Sequence, residues 1–124
     1  MQTVAMTIFA LELALLFAHE MDAIRRQEWK MFVILKDMAD EKAYNIFMLL
    51  HIPLSMSILL LLLSSFSHIG YYIVDIFLVA HMLIHLGFGK HPENKFNSVI
   101  SQVIINLSGL LAIVHLIVIS GMLL

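Results

Sequence analysis

The chain has 124 residues, 61% of them hydrophobic and 13% charged, with a mean hydropathy of +0.96, whereas soluble domains run at about 45–50% apolar and about 25% charged. That composition excludes an ordinary soluble domain, and the length leaves room for a single membrane domain over 1–124 with no soluble domain beside it. The net charge of −2 gives no reason to expect a nucleic-acid partner, and the lack of cysteine removes disulfides, thiolate metal sites and Cys nucleophiles, leaving His, Asp, Glu and Ser to carry any chemistry.

Four apolar segments, about 3–20, 44–66, 70–89 and 97–122, each approach the roughly 20 residues that a transmembrane helix needs. The first has no basic leader region and carries Glu12 in its middle, so it reads as a retained span. Residues 21–43 form a long amphipathic connection in which Trp29, Met31, Phe32, Val33, Ile34 and Leu35 adjoin charged neighbours. It is expected along the membrane interface, with Trp29 as anchor and Asp40 capping the second span. Ser67-His68-Ile69-Gly70 reads as a tight turn into the third span. Lys90 to Asn94 joins the third span to the fourth, with Pro92 at a helix start. The expected fold is all-α, an integral membrane four-helix bundle of up-down-up-down topology with an interfacial segment between spans one and two.

All seven Lys and Arg residues fall in the connections after spans one and three. By the positive-inside rule those basic loops are cytoplasmic and both termini lie outside.

At about 1.5 Å of rise per residue, His85 lies about 8 Å and His81 about 13 Å from Lys90, His51 about 10 Å from Tyr44, and His19 about 9 Å from Arg25. His19, His51, His81 and His85 therefore fall in one layer near the basic loops. His81 and His85, four apart, share a helix face, and His19 shares one with Asp22. Pro53 removes a backbone donor close to His51 and is expected to bend the second helix. Ionisable groups inside a span are costly and usually mark a site. Imidazole with carboxylate suits a divalent transition metal such as Zn, Fe or Mn, with ligands drawn from facing helices at matched depth. The candidate metal ligands are His19, His51, His81 and His85, with Glu20 or Asp22 as ligand, supporting acceptor or catalytic base, and Glu28 as a third acid at the interface. The alternative is that these groups only hydrogen-bond between helices as packing glue. Haem is disfavoured, because bulky Phe, Leu, Met and Ile fill the space a porphyrin would need.

Glu12 and Asp75 lie deeper, each about 20 Å from the basic loops. They are candidates for a proton or cation relay, or for neutral acids bonded across the bundle. His115 lies farther still. On the fourth span Ser101, Ser108, Ala112 and His115 form a small, polar stripe suited to close packing, with Gly109 beside it. No GxSxG, P-loop, dinucleotide or HExxH pattern occurs, and the nine methionines are scattered in the way of membrane core.

The strings His19-Glu20-Met21-Asp22-Ala23, Glu28-Trp29, His51-Ile52-Pro53-Leu54 and His81-x3-His85 resemble a family of small bacterial four-span membrane proteins of unknown function. More loosely, they are similar to membrane proteins named for an HXXEE motif, from which this chain departs in having Asp22-Ala23 where two Glu would stand. The resemblance implies the four-span fold, a bacterial inner (cytoplasmic) membrane location and a role for the His/acid layer, and it carries no activity. The expectation is thus a metal-binding membrane protein acting on a lipid or other membrane-dissolved substrate. A non-enzymatic partner or homo-oligomer subunit, and a small metal or proton carrier, are the competing readings.

Overall fold

The computed structural model describes residues 2–63 and 67–121. It contains helices α1 (Gln2–Arg26), α2 (Asp40–Leu63), α3 (Ser67–Gly87) and α4 (Val99–Gly121), with single 3₁₀ turns at Glu28–Met31 and Phe88–Lys90. No strand occurs among the described residues. Four helices are long and apolar enough to cross a membrane. Burial tells the same story. Glu12, His19, Asp75, His85, Ser101 and His115 are buried, while Leu49, Leu50, Ile52, Leu59, Leu60 and Leu63 face outward. An apolar exterior of this extent would not survive in water, and it is what lipid contact requires.

The packing centre is α4, against which both α1 and α3 lie; α2 leans on α3 and makes little contact with α1. Close approach of α3 to α4 depends on Gly109, since a Cβ there would stand 2.6 Å from both Cβ and Sδ of Met82. Small residues permit such approach in membrane bundles, where packing replaces the hydrophobic drive. Burial of α2 stops at Ala43 and Phe47. This leaves a lateral cleft between α1 and α2 along most of the bundle.

Several local expectations give way. Helix α1 continues six residues past the expected end at 20, held by the Arg26 Nε to Asp22 Oδ1 contact of 3.1 Å one turn apart. Trp29 is buried rather than anchored at an interface: its Nε1 donates to Asp40 Oδ1 (3.2 Å), and its ring packs on Tyr44 and Phe47. Asp40 is the first residue of α2, and its carboxylate receives Gln27 and Trp29 as well as facing Lys30. Residues 67–70, expected as a tight turn, instead form the first turn of α3. Pro92 sits in the connection, seven residues before α4. That connection is pinned by Asn94, which donates to the carbonyls of Phe88 and Gly89 and accepts from the Phe96 N–H, and by Phe96 itself, buried in the core.

Candidate metal centre

Helical spacing puts His81 and His85 one above the other on α3, with ring centroids 4.7 Å apart. His19 on α1 meets both, at 4.6 Å from His81 and 4.9 Å from His85, each ring edge-on. The fourth member comes from beyond the helix. Gln27 takes φ 57°, a left-handed conformation uncommon for a residue with a side chain, and reverses the chain after α1. Its side chain holds the reversal by donating to Asp40 Oδ2 (3.1 Å) and accepting from Lys95 Nζ (2.6 Å). The 3₁₀ turn that follows carries Glu28 back under the imidazoles. His85 Nε2 lies 3.2 Å from Glu28 Oε1, and His19 Nε2 lies 3.7 Å from Oε2.

One ligand atom from each of His19, Glu28, His81 and His85 can be chosen so that all four lie within 4.8 Å of one another. Three of the four residues are buried, and His81 is partly so. Yet among the described residues neither ring nitrogen of His19, nor Nε2 of His85, has a hydrogen-bond partner, so the contacts to Glu28 are close without being well-aligned bonds. Buried polar atoms without partners are rare and need an explanation. Tetrahedral coordination at about 2.0–2.1 Å from the metal would set ligand atoms about 3.3 Å apart, which this cluster reaches by small contraction. Phe96 closes the site on one side, 5.4 Å from the His19 ring and 4.9 Å from that of His85. Phe77 stacks parallel to His81 at 5.6 Å.

Burial alone would push the Glu28 carboxyl up, but His85 at 3.2 Å and the attraction of His19 and His81 outweigh it and hold the group below its ordinary value. Glu28 is thus kept as an anion, the form a metal needs.

The other expected site residues go elsewhere. His51 does not enter the cluster: its Nε2 pairs with Glu20 Oε2 at 2.7 Å, and its Nδ1 lies 2.6 Å from the carbonyl of Phe47. Glu20 and His51 sit together at the wall of a cavity of about 90 Å³ in the α1–α2 cleft, and Phe77 forms part of the same wall. Asp22 faces α4, accepting from Arg26 and from Ser101 Oγ, with Ser98 completing the network. Glu12 and Asp75 meet each other and His115 in a second buried group, where His115 Nδ1 stands 2.9 Å from Asp75 Oδ2. Between the two groups Leu16, Leu78 and Ala112 pack together as an apolar layer.

Two participants are hard to find from sequence. Glu28 lies outside every periodic segment, and only the backbone reversal at Gln27 carries it inward. Depth counting sets His115 farther out than Asp75, whereas α4 runs antiparallel to α3 and brings the two level. A family model described as a family of unknown function, DUF6713, matches residues 5–122. No curated protein and no solved structure matches the chain.

Proposed function

The chain belongs to that family of unknown function, and we propose that it is a membrane metalloprotein in which His19, His81, His85 and Glu28 hold one divalent transition metal. The observation that carries this reading is the set of buried imidazole nitrogens, unpartnered among the described residues, that converge with the Glu28 carboxyl. Three nitrogens and one oxygen suit Zn, with Fe and Mn as the other candidates. The basic loops at this end of the bundle support a centre near the cytoplasmic face, by the positive-inside rule.

Beside the centre, the Glu20–His51 pair lines the lipid-facing cleft between α1 and α2. In this proposal a membrane-dissolved substrate enters through the cleft; a metal held by His19, His81, His85 and Glu28 would supply Lewis-acid polarisation of a substrate oxygen, and Glu20 with His51 would exchange a proton with the substrate. Asp22 takes no part in the chemistry and positions α1 on α4.

Metal content of the detergent-purified protein tests the reading. Near one equivalent in wild type, lost in the His81→Ala/His85→Ala double variant, is the expected result. No metal in either protein after reloading with Zn, Fe and Mn would overturn it.

A further inference from the structure

At the opposite end of the bundle, beyond the apolar layer of Leu16, Leu78 and Ala112, lies a cavity of about 510 Å³. This falls within the roughly 300–1,000 Å³ of small-molecule sites. Its wall is mainly apolar and aromatic, with Phe9, Leu13, Leu62 and Tyr71 among its residues, and His115 is part of it. Leu13 and Leu62 line both this cavity and the one in the α1–α2 cleft.

Gln2, His68, Tyr71 and Tyr72 also line that wall, and His115 is its deeply buried polar residue. The residue is 1% exposed, its Nδ1 is spent on Asp75, and its Nε2 has no hydrogen-bond partner among the described residues. A carboxylate on one ring nitrogen fixes the tautomer and leaves the other nitrogen to receive a proton donor. Behind Asp75 stands Glu12, fully buried with both oxygens unpartnered, as is Asp75 Oδ1. A ligand arriving from the cavity uses the ring nitrogen that the Asp75–His115 bond leaves free. The rings around His115, Phe9 at 5.2 Å and Tyr71 at 5.9 Å, favour a planar aromatic body.

We propose that this cavity is a second site, separate from the metal centre, that binds a lipid-soluble phenol whose hydroxyl donates to Nε2 of His115 while its ring packs against Phe9 and Tyr71. Asp75 orients the imidazole, and Glu12 sets the charge around Asp75. The apolar tail of the ligand lies in the α1–α2 cleft.

The test is equilibrium binding of 4-nonylphenol and of 4-nonylanisole, which lacks the hydroxyl proton, to the protein in lipid nanodiscs, with empty nanodiscs subtracted. Saturable phenol binding is expected, about tenfold or more tighter than that of the anisole, the loss that goes with one oriented hydrogen bond. His115→Phe should remove the preference, and His81→Ala/His85→Ala should keep it. Equal binding of the two compounds to wild type, or no saturable uptake above empty nanodiscs, would overturn the proposal. The comparison within wild type decides the matter even if His115→Phe does not fold.

Discussion

Glu20 on α1 and His51 on α2 meet at 2.7 Å, Oε2 to Nε2, across two helices that otherwise make little contact. The pair fixes the width of the lateral cleft and holds His51 away from the imidazole cluster behind it. Two carboxylates eight residues apart in sequence therefore have different duties, Glu20 facing the cleft and Glu28 facing His19 and His85.

That division predicts opposite outcomes for two similar substitutions. Glu28→Gln removes the anionic ligand and should weaken metal affinity by about 10-fold to 100-fold or more, at least the range seen when groups supporting a metal site are changed. Glu20→Gln should leave metal content unchanged. Competition titration with a chromophoric chelator measures both, and equal losses in the two variants would contradict the assignment.

Metal retention should depend on pH with a definite sign. Ligation needs neutral imidazoles and an ionised carboxylate, so protons compete, and occupancy should fall as the pH drops from about 7 to about 5. In the metal-free protein the lowered Glu28 carboxyl contributes stability that is fully present above its unfolded value near 4.5 and is lost as pH falls through its lower folded value. Thermal midpoints of apo wild type and apo Glu28→Gln in detergent should converge at the acid end of that window. A constant difference down to acid pH would count against it.

Packing of α3 on α4 gives a prediction independent of the metal. Gly109→Ala places a methyl 2.6 Å from Met82 Cβ and Sδ, and overpacking of this kind costs about 1–3 kcal/mol. The lowered thermal midpoint should be only partly restored in Gly109→Ala/Met82→Ala, where the Sδ and Cγ contacts are gone but the 2.6 Å approach to Cβ remains. A neutral single variant would mean the helices part easily at this point.

Phe96 links the loop to the centre. At 1% exposure and within 5.4 Å of two site imidazoles, its truncation to Ala should cost about 3–5 kcal/mol of stability, and it should let water reach His19 and His85. Faster metal release to a chelator in Phe96→Ala, with stoichiometry retained, is the expected measurement.

The four helices were legible because an uninterrupted apolar run of bilayer length has few other uses, and His81 with His85 was legible from a fixed helical spacing. The membership of the centre was harder, because depth along a helix axis says nothing about which way a side chain turns around it. His51 has the right depth and turns to Glu20. Glu28 has no helical depth at all and arrives through the left-handed Gln27. Trp29 follows the same reversal into the core, where an amphipathic pattern alone suggested an interface.

X-ray absorption at the metal edge of the Zn-loaded protein, wild type beside His51→Ala, tests the central claim most directly. The account predicts three imidazole nitrogens and one carboxylate oxygen at about 2.0–2.1 Å, with the same spectrum in both proteins. Loss of one imidazole in His51→Ala, or a shell of water oxygens in wild type, would contradict it.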